Sequence, residues 1–188
     1  RAFDLVMASF LLILLSPVML VIAIAVKLDS KGEIFFRQER VTQYGKIFKI
    51  YKFRTMVKDA DKLGSQVTTQ NDARVTRTGR FLRKYRLDET AQLLNVLSGD
   101  MSFVGTRPEV SKYVKKYTDE MYATLLLPAG ITSEASIMYK DEERLLAEAE
   151  SADDVYVTQV LPMKMVYNLH ALKNINMYAE ILTMAKTA

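Results

Sequence analysis

Residues 5–26 read LVMASFLLILLSPVMLVIAIAV, 22 positions without a charge. As a straight helix rising about 1.5 Å per residue, this run is roughly 33 Å long, enough to cross the hydrocarbon of a bilayer. Arg1 and Asp4 stand before it, and Lys27, Asp29 and Lys31 after it. It is too long for the apolar part of a signal peptide, and no small-residue cleavage site precedes the charged region. Ser16-Pro17 lies at its midpoint. Proline removes a backbone donor and crowds the carbonyl four residues back, so a kink is expected, with the Ser16 hydroxyl placed to satisfy the freed carbonyl. Composition favours a kinked crossing over a re-entrant hairpin, and the flanking charges do not separate the two.

Outward from this run the chain turns polar and basic. Lys31 to Arg86 holds 15 Lys/Arg against 5 Asp/Glu, whereas Lys140 to Asp154 holds 7 acids against 2 bases. A basic block serves nucleic acid, anionic lipid or phosphorylated substrates. The apolar run argues against nucleic acid, which also calls for stacking aromatics among the cations. The 188 residues suffice for one domain with a real core. The absence of cysteine excludes disulfide and thiolate chemistry, and the single histidine, His170, cannot alone build a triad or a metal cluster. Acid–base and metal work falls to carboxylates, lysines and tyrosines.

EIFFRQERV and KIFKIYKFRTM alternate as two short antiparallel strands, with Gly45 in the TQYGK turn between them. Their cations suit a solvated hairpin, or phosphates and lipid headgroups. Lys58 to Asp72 reads as a polar loop. A helix is predicted from Thr78-Gly79 onward, bending near Leu87-Asp88. Asp88 opens its second part as N-cap or first-turn residue. A helix start favours anions, and Arg74, Arg77, Arg80, Arg83, Lys84 and Arg86 precede the Asp88-Glu89 pair. Those cations are expected to keep a carboxylate ionised, as a nucleophile requires. Arg107-Pro108 offers a rigidly presented guanidinium for phosphate oxygens. Carboxylates and arginines without histidine suit magnesium-assisted phosphoryl transfer. SKYVKKYTDEMYATLLL (111–127) is predicted as one amphipathic helix, the C-terminal 159–186 as helical, and His170 as a surface or packing residue.

RAFDLVMA, SPVML, FFRQERV, FKIYKFRTM, LRKYRLDETAQLLNVLSGDMSFVGTRPE and PAGIT together resemble the bacterial sugar transferases. These are monotopic phosphoglycosyl transferases that act on polyprenyl phosphate. The resemblance runs nearly end to end and implies an α+β, mostly helical fold. In that fold the N-terminal membrane helix (residues 1–28) is broken at Ser16-Pro17 and re-entrant. Residues 29–188 form a catalytic domain with one small antiparallel hairpin, docked by amphipathic interfacial helices on the cytoplasmic face of the bacterial inner membrane. The resemblance makes Asp88 the nucleophile and a ligand of Mg²⁺, for which Mn²⁺ can substitute, and Glu89 its assistant in proton handling or metal positioning. Lys52, Arg83 and Arg107 match the family's functional lysine and arginines, with Pro108 behind the last.

The implied partners are a UDP-sugar, polyprenyl (undecaprenyl) phosphate and membrane lipids, with a homodimer left open and nucleic acid excluded. The implied reaction passes through an aspartyl phosphosugar, releases UMP, and begins exopolysaccharide, capsule or other glycoconjugate assembly at the membrane. The sequence departs from the family at Thr106, where proline is usual, and at 128–133, where Pro-Ala-Gly-Ile-Thr-Ser lacks the usual arginine. It departs again in SEASIMY, which lacks a glutamine, and at Asn168 and Glu180, where aspartates are common. These changes bear on nucleotide and sugar recognition, and they keep a noncatalytic scaffold in view as an alternative. The acidic stretch 139–154 has no place in the shortest members. The chain starts at Arg1, directly on the motif, so it reads as a trimmed piece or the terminal domain of a longer protein with further transmembrane helices.

Overall fold

The computed structural model describes residues 1–60, 72–139, 146 and 151–187. The predicted loop 58–72 and the acidic stretch 139–154 therefore fall largely outside the described residues. The chain forms two compact units, residues 1–38 with 49–99, and residues 39–48 with 100–188.

In the first unit, helix α1 (Ala2–Asp29) runs through Pro17 without leaving the helical conformation. Pro17 deprives the Ile13 carbonyl of its intrahelical donor, and the Ser16 hydroxyl supplies a replacement by donating to Ile13 O at 2.8 Å. Most of α1 has no protein to cover it: Val6, Ile13, Leu20, Val21 and Leu28 are each more than three-fifths exposed. A helix that is apolar all round and largely uncovered is suited to lipid. Its two ends nevertheless belong to one small unit. Arg1 Nη2 donates to Val96 O at 2.8 Å, while Ile22 and Val26 enter a core with Phe53, Leu82 and Ala91. Held straight, 28 residues would span about 40 Å, whereas the anchors Val96 and Ala91 lie only five residues apart in the chain, so α1 must bend between its ends, and Pro17 is the residue that permits a kink.

Strands β1 (Phe35–Val41) and β2 (Ile47–Phe53) form the predicted hairpin, turned by a short 3-10 segment at Gln43–Gly45. Tyr44 and Gly45 there take positive φ of 57° and 75°. Phe35 packs on Phe53 and on Tyr51, with ring centroids 5.2 and 5.8 Å apart. Helix α2 (Arg77–Lys84) starts one residue before the predicted point because the Thr76 hydroxyl caps it, accepting from Gly79 N at 3.0 Å. Asp29, the last residue of α1, also accepts from Thr78 N at 2.9 Å. Arg86 turns left-handed (φ 52°), and a 3-10 segment at Leu87–Gln92 leads into α3 (Leu93–Ser98). The predicted bend is therefore present.

The second unit holds a two-stranded parallel sheet that the sequence reading missed. Strand β3 (Met101–Val104) pairs with β4 (Ala129–Thr132), Met101 opposite Ala129 and Val104 opposite Thr132. Segment 111–127 is not one helix but α4 (Ser111–Val114), α5 (Asp119–Tyr122) and a 3-10 turn at Ala123–Leu126. Thr118 restarts the chain as a fresh N-cap, accepting from Met121 N, and this interrupts the amphipathic period. Helix α6 (Glu134–Met138) is capped by Ser133. Helix α7 (Ala152–Val155) passes through a π turn at Tyr156–Val160 into α8 (Leu161–Lys173), and α9 (Met177–Thr187) follows.

Candidate active site

Asp88 sits in the first turn of the 3-10 segment and is only 7% exposed. The left-handed turn at Arg86 redirects the chain between α2 and this segment, so the last turn of α2, with Arg83, lies near the carboxylate pair. On β2, Lys52 alternates with the buried Phe53. Its Nζ donates to Glu89 Oε1 at 2.8 Å, and both side chains are largely shielded. Arg83, in the last turn of α2, is near enough to act electrostatically on Asp88. Lys52, Arg83, Asp88 and Glu89 are thus brought together in the first unit.

The charge balance differs from expectation. Burial pushes the Asp88 carboxyl above the ordinary aspartate range, and Glu89 pushes the same way; Lys52 and Arg83 oppose without prevailing. The flanking cations were expected to keep this carboxylate ionised, and the direction of the shift runs against them. Most basic residues of the block point outward, and desolvation outweighs the two that face it.

One determinant of this corner was not anticipated. Asn95, 1% exposed, lies on the buried side of α3. Its Oδ1 accepts from Tyr51 N at 2.8 Å and its Nδ2 donates to Lys49 O at 3.0 Å. An amide here acts as a one-residue strand, fastening β2 to α3 and fixing the backbone beside Lys52. In sequence it is a single polar residue in QLLNVL, where asparagine invites a surface reading.

Arg107 and Pro108 belong to the second unit, in the loop after β3. Pro108 is buried and its carbonyl accepts from Arg40 Nη1 at 3.0 Å. Segment 128–133, where the family arginine is missing, is spent on structure: β4, and the Ser133 cap of α6. His170 is exposed in the last turn of α8, beside Asn174. No group of three or more Asp, Glu, His or Cys is assembled among the described residues. The donor chemistry nonetheless fits magnesium, which commonly takes one or two carboxylates and completes its shell with substrate phosphate and water; Asp88 and Glu89 are the two that would hold it.

The bacterial sugar transferase family model matches residues 1–187. An Aeromonas hydrophila UDP-N-acetylgalactosamine-undecaprenyl-phosphate N-acetylgalactosaminephosphotransferase is 35% identical across 100% of this chain and 42% of its own. A UDP-glucose:undecaprenyl-phosphate glucose-1-phosphate transferase of Escherichia coli is 46% identical over 73% of this chain and 30% of its own. An undecaprenyl-phosphate galactose phosphotransferase of Salmonella typhimurium is 37% identical over 70% of this chain and 31% of its own. The chain therefore spans less than half the length of these relatives, whose names carry three different sugars. With residues 1–187 matched, the chain belongs to the bacterial sugar transferase family.

Proposed function

We propose that this chain is the catalytic part of a phosphoglycosyl transferase that moves a sugar-1-phosphate from a UDP-sugar to polyprenyl phosphate. The observation that carries this reading is the buried Asp88 carboxyl in its first-turn position, beside a shielded Lys52–Glu89 ion pair. Names of relatives acting on undecaprenyl phosphate support the substrate class.

In the first step an Asp88 carboxylate oxygen attacks the sugar-bearing phosphorus. The P–O bond to the nucleotide breaks, UMP leaves, and the sugar phosphate stays on Asp88. An oxygen of polyprenyl phosphate then attacks the same phosphorus and returns the carboxylate, leaving the sugar on a lipid diphosphate. Two displacements let one carboxylate serve a soluble donor and a membrane-borne acceptor in turn. Lys52 holds Glu89 in place and, with Arg83, supplies positive charge where phosphate oxygens gather. Glu89 assists proton handling. Mg²⁺ or Mn²⁺, held by Asp88 and Glu89, would supply charge neutralisation on those oxygens. Arg107 is assigned to phosphate binding through its two-pronged guanidinium.

Residues 1–28 are assigned as the membrane anchor and 29–188 as the catalytic part. The curvature of α1 and the attachment of both its ends to one unit support an anchor that enters and leaves by the same, cytoplasmic face. The test is UMP release by the detergent-solubilised protein with polyprenyl phosphate, magnesium and a panel of UDP-sugars. Release with one sugar is expected, abolished by EDTA and by Asp88→Asn, with a phosphosugar adduct on Asp88 seen by mass spectrometry. Undiminished release by Asp88→Asn would exclude the mechanism.

A further inference from the structure

Arg107 is carried on a loop that the second unit grips from two sides. On one, Gly105 N donates to Thr132 O and Gly130 N donates to Thr106 O, both at 3.0 Å. There the two backbones approach so closely that a Cβ on Gly130 would lie 2.1 Å from Gly105 N. On the other, Arg40 Nη1 donates to Pro108 O at 3.0 Å and Val41 N donates to Glu109 O at 2.9 Å. The last grip is a side chain. Glu109, 6% exposed, accepts a short hydrogen bond from the Tyr156 hydroxyl through Oε1 and faces Arg40 Nη1 through Oε2 at 3.9 Å.

We infer that Glu109 is a positioning residue for Arg107. Its carboxylate, locked between Tyr156 of the π turn and Arg40 of β1, fixes the loop so that the guanidinium is presented ready-made to a diphosphate. The phosphate role of Arg107 rests on the function proposed above; the clamp rests on the contacts alone.

A buried carboxylate is costly unless charged and hydrogen-bonding partners compensate it, and replacing such a pair with apolar side chains is often neutral or stabilising. Stability is therefore a weak reason for an ion pair here. Geometry is a stronger one. Arg40 reaches both the Pro108 carbonyl and the Glu109 carboxylate, so one guanidinium bridges two consecutive residues immediately after Arg107. Bidentate recognition of phosphate depends on placing the fork within about 0.5 Å, and a loop pinned on its backbone from both sides and on a side chain can meet that demand. Tyr113, its ring tilted against that of Tyr156 with centroids 4.8 Å apart and its hydroxyl donating to Asp153 at 2.6 Å, supports the tyrosine in turn.

The experiment is a double-mutant cycle on UMP release. Glu109→Gln, with Tyr156→Phe as the milder second variant, is measured with Arg107 intact and in Arg107→Ala. Backbone amide exchange over 105–110 is followed alongside. With Arg107 present, Glu109→Gln is expected to lower kcat/KM about tenfold, and Tyr156→Phe less; without Arg107 either should cost under about twofold. Loop exchange should rise about tenfold while β3 and α8 stay protected. Equal losses in both backgrounds would overturn the assignment and make Glu109 a general stabiliser, whatever exchange shows. If the unmutated protein releases no UMP, the functional reading fails and exchange alone decides, with an unchanged loop overturning the clamp.

Discussion

On the proposed mechanism, Asp88 couples protonation to chemistry. Its carboxyl titrates above the ordinary aspartate range because it is buried, and a nucleophile must be deprotonated, so UMP release should rise with pH through that elevated value. Lys52 is the main influence drawing the value down, and it also neutralises Glu89. Lys52→Met should therefore move the acid limb of kcat/KM to still higher pH, beyond any loss in rate. A limb that stays put or moves to lower pH would exclude Lys52 as Asp88's electrostatic partner. At Asn95 the expected effect is on folding: Asn95→Ala strands a buried N–H of Tyr51 and a C=O of Lys49, which should cost roughly 2–4 kcal/mol by denaturant titration. The sequence made Asp88 legible through its neighbours in one continuous block. Asn95 and Glu109 were not legible as determinants, because their partners lie 44 and 47 residues away.

Elements show the same division between local and distant information. The hairpin, the bend before Asp88 and the hydroxyl repair at Pro17 were readable, since each is settled within a few residues. The β3–β4 pair was not: two four-residue strands, one built on Ala-Gly, carry too little alternation to register, and their pairing is a non-local event. That pair yields a sharp expectation. Gly130→Ala would drive a methyl group against the backbone of Gly105, with both N and O within 2.4 Å, so it should destabilise the protein by about 3 kcal/mol or more. A melting temperature unchanged by Gly130→Ala would show that the strands are not so close. For α1, the absence of cysteine allows clean labelling. Single cysteines at Ala2 and Ser30 should both react from the cytoplasmic side of intact membranes, and Pro17→Ala, by restoring the missing donor, should send one of them across. Reaction from opposite sides in the unmutated helix would establish a full crossing.

At the scale of the molecule, composition and motif gave the mostly helical α+β class and the family, whereas the division of contacts into two units was invisible. The hairpin lends its tip residues 39–48 to one unit and its remaining strand residues to the other, a sharing that no break in composition marks. The identity of the sugar stays a matter for the substrate panel, since relatives at comparable identity are named for different ones. The way α1 ends has a practical corollary for anyone wanting a water-soluble enzyme. Arg54, 7% exposed, wraps the exit of α1, its Nη2 donating to Val26 O at 3.2 Å and to Ser30 O at 2.7 Å, while Ile22 and Val26 plug the core. Cutting the chain at residue 28 would remove two plugs worth roughly 3–5 kcal/mol together and leave a guanidinium with an acceptor gone. The greasy segment is a keystone as well as a tether, so solubility is better sought by repainting its outward residues than by deleting it.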